Sequence, residues 1–251
     1  MSEIRREFLG SGWRERFWVA ARRGWRRLRY FGISRYCPLC GSHLRLFLPH
    51  GVIPRPNAVC PVCQSRDRHR LAWLWLTRET RLLQDPLTFL HLAPEPELAR
   101  RLAALPNLRY LSGDLVHRAG VRLDIGRLPF PDACIDMLYC SHVLNMLPRD
   151  VRALSELLRV LKPGGLALIQ VPQATAMATV EAGPRSTRAE RLALFGDPDM
   201  FRRYTGSDLL ERLKLIGFSA EVIRYHEHFS SRNRTRLGLI DEDLVLCRRP
   251  A

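Results

Sequence analysis

From residue 87 onward, apolar runs of strand length alternate with amphipathic helical segments. This alternation restricts the possible folds of the 251-residue chain more than any other feature. LTFLHLA runs into ELARRLAAL, NLRYLSGDL ends near Asp114, and CIDMLYC leads to DVRALSELLRVL, which KPGG stops. LALIQVP, SDLLERLKLIGF, SAEVIRYHEH and DEDLVLCRR complete the series. Strands that alternate with helices predict an α/β fold with a doubly wound, mostly parallel, Rossmann-like sheet over residues 87–251. A ligand is then expected at the carboxyl ends of the strands. The turn after the first strand is APEPE, where such folds usually carry glycines. No GxGxxG follows this strand, which argues against a dinucleotide-dependent dehydrogenase.

Upstream, residues 37–63 carry a second constraint. Cys37, Cys40, Cys60 and Cys63 form two CPxC pairs separated by nineteen residues. Two thiolates two residues apart can hold one face of a tetrahedral zinc from a tight knuckle, and the second knuckle closes the site. Pro38 and Pro61 stiffen the knuckles, and Gly41 permits a left-handed residue after the first. Four thiolates leave no open coordination position, so the expected zinc ribbon is structural. Residues 64–86 read as a connecting helix, QSRDRHRLAWLWLTRETRLL, whose Arg66–Arg70 cluster suits an anion or solvates the start of the helix.

Residues 1–36 form a basic arm with ten Arg and three Glu, the densest part of a chain whose net charge is +15. Trp13, Phe17, Ala20, Gly24, Leu28 and Phe31 recur at helical spacing with arginines between them. Three readings fit this pattern: an RNA-contacting helix, a peripheral helix on an anionic membrane, or a helix packing its aromatic stripe on the domain. Lys occurs only at 162 and 214, so part of the basic bias is an arginine preference in composition. No apolar run approaches the ~20 residues that span a bilayer, and no signal-type apolar region is evident. With cysteines paired for metal rather than disulfides, the expected compartment is the cytoplasm.

The stretch DIGRLPFPDACIDMLYCSHVLNMLPRDVRALSELLRVLKPGGLALIQVP, residues 124–172, resembles class I S-adenosylmethionine-dependent methyltransferases, of the type 11-like kind. CPVCQSRDRHRLAWLWL with HLAPEPEL is similar to a subgroup joining an N-terminal zinc ribbon to an APEP turn. The resemblance implies a seven-stranded methyltransferase sheet, S-adenosylmethionine as cofactor and a structural Zn2+. It places Asp114 at the ribose diol, Asp124 at the adenine amino group, and Ile125 and Leu128 at the ring. Ala93 stands where the first glycine usually lies, and Glu95, with Glu97 as the other candidate, is expected near the methionine moiety. Cys140 is a further pocket candidate.

After the strand CIDMLYC, many relatives carry Glu-His where this chain has Asn145-Met146. His142 remains as a candidate general base. Tyr204, with Arg202 and Arg203, is a candidate substrate contact within residues 173–206. The leading expectation is methyl transfer to a small-molecule or glycan-type acceptor. The alternatives are an RNA acceptor gripped by ribbon and arm, and a non-catalytic binding protein that keeps the fold.

Overall fold

A computed structural model describes residues 13–51, 54–115, 121–173 and 178–251, with side chains from residue 17. The first twelve residues of the basic arm and the Trp13 side chain lie outside the described residues. Two compact units emerge, and they do not follow the linear order. Residues up to Pro86 form the first together with Pro94–Leu108 and Arg224–Asp241, so two segments of the expected 87–251 domain pack with the N-terminal part.

In the first unit, α1 (Trp13–Arg29) precedes two small hairpins, β1 (Arg35–Cys37) with β2 (Ser42–Leu44) and β3 (Leu48–His50) with β4 (Arg55–Val59). The unit also holds α2 (Asp67–Arg78) and α3 (Pro96–Ala103). Pro96 is the first helical residue of α3, where a missing N–H costs nothing. Arg70 of α2 is wholly buried. Its guanidinium donates to the carbonyls of Asn57, Ala58, Ser65, Leu237 and Gly238 and lies 4.1 Å from the centre of the Phe47 ring. It is therefore a structural cation rather than part of an anion site. The aromatic face of α1 does not pack: Trp18, Trp25, Leu28 and Phe31 are 69%, 58%, 80% and 65% exposed. The helix is instead held through its arginines, as Arg23 pairs with Glu97 and Arg27 donates to Ser42 Oγ and the Cys40 carbonyl.

The second unit is built on a seven-stranded sheet. Its strands are β5 (Leu87–Leu92), β6 (Leu108–Asp114), β7 (Val121–Arg122), β8 (Ile135–Ser141) and β9 (Leu161–Gln170), with β12 (Ser219–Ile223) and β13 (Leu244–Arg248). The spatial order is β7-β6-β5-β8-β9-β13-β12. β8 runs parallel to β5 and β9, β7 parallel to β6, and β13 is antiparallel to both its neighbours. β7 is only two residues long, and the sequence pattern shows it as loop. A two-residue Val-Arg pair carries no alternation to read. The strand expected over SAEVIRYHEH stops at Ile223, and Tyr225–His228 form a 3₁₀ turn.

Helices complete the layers. α4 (Val151–Val160) buries Ala153, Leu154, Leu157 and Val160, the one-sided spacing of an amphipathic helix. Leu154 and Leu157 each contribute about 2 kcal/mol by burial. α5 (Arg188–Phe195) starts with a Thr187–Glu190 capping box, and α6 (Gly206–Ile216) starts at a Thr205 cap and ends at Gly217 with φ 112°. The short β10 (Val180–Glu181), before α5, pairs antiparallel with β11 (Arg202–Arg203), which lies between α5 and α6. In the first unit, α7 (Ser231–Leu237) follows the 3₁₀ turn.

Candidate functional site

Sheet order reverses between β5 and β8, since β6 and β7 continue on one side and β9 on the other. Such a switch point leaves a crevice at the strands' carboxyl ends. Ala93 follows β5, Asp114 closes β6, Asp124 lies two residues past β7, His142 follows β8 and Gln170 closes β9. Topology thus brings Ala93, Asp114, Asp124 and His142 to one edge of the second unit.

Ala93 and His142 both take left-handed backbone, φ 48° and 55°. A residue with a Cβ in this region is strained by roughly 1 kcal/mol. Each is fixed by a neighbour: the Ala93 N–H donates to the Gly113 carbonyl at 2.9 Å, and that of His142 to the Gln170 carbonyl at 2.8 Å. The position predicted to replace a glycine therefore keeps a glycine-type conformation. Gly113, just before Asp114, has no room for a side chain. A Cβ there would meet Leu123 Cδ2 at 1.9 Å, so the bare backbone is what lets the segment leading to Asp124 pack on β6. Asp124 is exposed and its Oδ1 accepts from the Gly126 N–H at 2.8 Å. Ile125 and Leu128 are buried to within a few percent in the core cluster. Cys140 is fully buried in that cluster, so the expected pocket role does not suit its side chain.

A polar chain absent from the sequence-based expectation surrounds His142. Its Nε2 lies 3.3 Å from Glu242 Oε2, Gln170 Nε2 donates to Glu242 Oε1 at 3.2 Å, and the Tyr139 hydroxyl donates to Gln170 Oε1 at 2.5 Å. Tyr139 and Gln170 are wholly buried, Glu242 nearly so, while His142 keeps part of its ring exposed. His91 lies in the same layer, its ring 5.2 Å from Tyr139 and its Nδ1 2.9 Å from the Tyr110 hydroxyl. Glu242 sits in the DED run before the last strand, and only folding brings it beside a residue one hundred positions away. Asn145, in the 3₁₀ turn after His142, is wholly buried, and among the described residues neither of its amide atoms has a side-chain partner.

Tyr204 requires correction. It is 0% exposed, and its hydroxyl donates to Asp150 Oδ2 at 2.7 Å. Burial, followed by the Asp150 charge, pushes its phenol well above the ordinary range. Arg202 and Arg212 approach Asp150 and also bridge to Glu181, so the buried Tyr204 and Arg202 belong to a polar network that joins Asp150 to β10. Arg203 donates to the Phe195 carbonyl.

In the first unit, the two glutamates of APEPE already have partners. Glu95 places Oε1 3.2 Å from His69 Nε2, and the buried Glu97 is met by Arg23, Arg100 and Arg101. The pairing links the RHR of α2 to the APEP turn, two motifs that stand about 25 residues apart in the sequence.

The four cysteine Sγ atoms of the first unit lie within 4.8 Å of one another, and all four residues are buried. Cys37–Cys63 and Cys40–Cys60 are each 3.8 Å apart, too long for a disulfide of about 2.05 Å. A tetrahedron with metal–sulfur bonds of about 2.3 Å has edges of about 3.8 Å. Each knuckle closes with a backbone bond, Gly41 N–H to the Cys37 carbonyl and Gln64 N–H to the Cys60 carbonyl, and Gly41 and Gln64 both have positive φ. Ser42 and Ser65 hydroxyls stand 3.2 and 3.1 Å from Cys40 and Cys63.

Comparison with known proteins agrees with this architecture. The methyltransferase domain family matches residues 96–169. An uncharacterised chloroplastic methyltransferase of Arabidopsis thaliana is 40% identical over 48 residues, 19% of this chain and 14% of that protein. An uncharacterised methyltransferase of Mycobacterium avium is 34% identical over 79 residues, 32% of this chain and 29% of that protein. The matches therefore span less than a third of either relative. An S-adenosylmethionine-dependent methyltransferase from Mesorhizobium loti superposes with TM-score 0.52 at 19% identity, covering 71% of this chain and 98% of its own. The [4+2]-cyclase SpnF superposes with TM-score 0.51 at 18% identity, covering 85% and 91%. The second unit thus has the Rossmann-like methyltransferase fold. That a cyclase shares it shows that the fold alone does not set the reaction.

Proposed function

We propose that the second unit binds S-adenosylmethionine at the carboxyl ends of its central strands and directs methyl transfer to a small-molecule or glycan-type acceptor. The observation that supports this most is the position of Asp114 and Asp124 at the exits of β6 and β7 in a sheet of methyltransferase type. Bound there, the cofactor supplies a methyl group already activated on a sulfonium. Asp114 would accept from the ribose hydroxyls and Asp124 from the adenine amino group, with Ile125 beside the ring. The left-handed Ala93 keeps the first turn open for the rest of the cofactor. His142 takes the acceptor's proton at Nδ1, because its Nε2–H is directed at Glu242. Gln170 and Tyr139 fix that carboxylate, so the imidazole is oriented before the acceptor arrives.

The four cysteines of the first unit hold a structural zinc in this reading. The 3.8 Å sulfur–sulfur edges and the all-thiolate donor set fit that ion, and the serines beside Cys40 and Cys63 complete its surroundings.

The test is transfer of labelled methyl from S-adenosylmethionine into small-molecule, glycan and RNA fractions by the full chain. Label is expected in a fraction other than RNA, and it should disappear in Asp114→Ala. Label confined to RNA would reassign the acceptor. The absence of transfer together with absence of S-adenosylhomocysteine binding would sink the reading.

A further inference from the structure

Helix α1 presents an apolar face that no described residue of its own unit covers. On a 100° helical wheel, Phe17, Trp18, Ala21, Gly24, Trp25 and Leu28 fall within one sector about 120° wide. Phe17, Trp18, Trp25 and Leu28 are 58–80% exposed, and Phe31 and Ile33, just past the end of the helix, are 65% and 83% exposed. Six large apolar side chains this exposed are far from a random scatter of surface hydrophobics. The other side of the helix is tied down by Arg23 to Glu97 and by Arg27 to the ribbon. The helix is therefore held with its aromatic face outward rather than left undocked.

Charge identifies the occupant. Residues 13–29 contain seven arginines and one glutamate. Arg22 and Arg29 follow the edge of the apolar sector on the wheel, and Arg29 also lies 5.3 Å from the Trp25 ring centre. A second copy of the chain would bring seven arginines against seven with a single acid each to offset them. A single-stranded RNA would satisfy the arginines and could stack bases on the tryptophans, but it would leave the aliphatic Leu28 and Ile33, 80% and 83% exposed, in water. An anionic bilayer surface takes both: phosphate-bearing headgroups meet the guanidinium groups, and the indoles and aliphatic side chains enter the headgroup–acyl boundary. We propose that α1 with Phe31 and Ile33 is a peripheral docking surface for anionic lipid. The proposal rests on the first unit alone and is independent of the methyl-transfer reading.

The experiment is co-sedimentation of the full-length, zinc-loaded chain with phosphatidylcholine vesicles and with vesicles containing 30 mol% phosphatidylglycerol, a composition chosen on the order of common anionic membranes. The variant Trp18→Ser/Trp25→Ser/Leu28→Ser keeps every arginine and changes only exposed side chains, so an unchanged thermal melting curve certifies its fold. Binding to anionic vesicles well above that to neutral ones, weakened by salt and reduced at least about tenfold in the variant, is the expected result. Light scattering and an RNA gel-shift on the same two proteins cover the other occupants. The proposal is overturned if anionic vesicles leave the protein in the supernatant, or if the triple variant binds them as tightly as the wild type. It is equally overturned if the triple change abolishes dimers or RNA complexes while no vesicle binding is seen.

Discussion

Arg70 gives the most demanding test of how the first unit is held together. Its guanidinium reaches five backbone carbonyls from the ribbon, the second knuckle and the segment after α7, and it stacks on Phe47. Hydrogen bonds from a charged donor contribute about 1.5–3 kcal/mol each, so simple addition would overshoot. Two effects reduce the sum. The Ser65 carbonyl keeps the Cys60 N–H as a second donor, and removing the guanidinium also removes the cost of burying a charge. Arg70→Met fills much of the volume but strands the other carbonyls, and a net loss of about 3–5 kcal/mol is expected. With a urea slope of about 2 kcal/mol/M, the unfolding midpoint falls by about 2 M. Tryptophan fluorescence is the assay, because all five tryptophans, at 13, 18, 25, 73 and 75, belong to the first unit. Arg70→Lys should recover little, since one ammonium cannot reach acceptors arranged around a planar fork. A midpoint shift below about 0.5 M for Arg70→Met, or full recovery by lysine, would refute the reasoning.

Other predictions follow from single observations. Ala93→Gly relieves left-handed strain and is expected to raise stability by about 0.5–1 kcal/mol in denaturant titrations, whereas Ala93→Val should lower it. Burial holds the His69 imidazole below its ordinary value near 6.5 despite Glu95, so the folded unit keeps it neutral while the unfolded chain takes up a proton. Its contribution is therefore complete above about pH 6.5 and lost as pH falls toward the lowered folded value. His69→Gln should flatten the difference between melts at pH 7 and pH 5.5. Mercurial titration of the four cysteines should release one zinc per chain and unfold the first unit, as read by the tryptophans, and Cys60→Ser should arrive without metal.

Much of the second unit was legible because its pattern is regular. Val151–Val160 repeats at helical spacing, Gly217 ends α6, and Asp114 closes a strand with the expected residues before it. Cys37, Cys40, Cys60 and Cys63 were legible for another reason: thiolate pairs at that spacing have few uses, and the fold brings all four together. What escaped was made by long-range contact. Glu242 meets His142 across one hundred residues, and His69 meets Glu95 across twenty-six, with no local periodicity to announce either pair. The burial of Tyr204, a candidate substrate contact by sequence, is not legible from the polar residues around it. Its ring is buried in the core cluster, with its hydroxyl on Asp150, a placement that no neighbouring residue encodes. The outward aromatic face of α1 is the opposite case: periodicity revealed the stripe, but whether it was covered depended on which residues the ribbon and α3 supplied as partners.

The central claim is that Ala93 and the strand exits of the second unit, Asp114 among them, form a cofactor site. Calorimetric titration of S-adenosylhomocysteine into the zinc-loaded full chain, beside Asp114→Ala, tests it most directly. Saturable binding is predicted, with the variant weaker by at least about 30-fold, the equivalent of about 2 kcal/mol for the lost carboxylate hydrogen bonds. Absence of binding, or equal affinity in the two proteins, would contradict it.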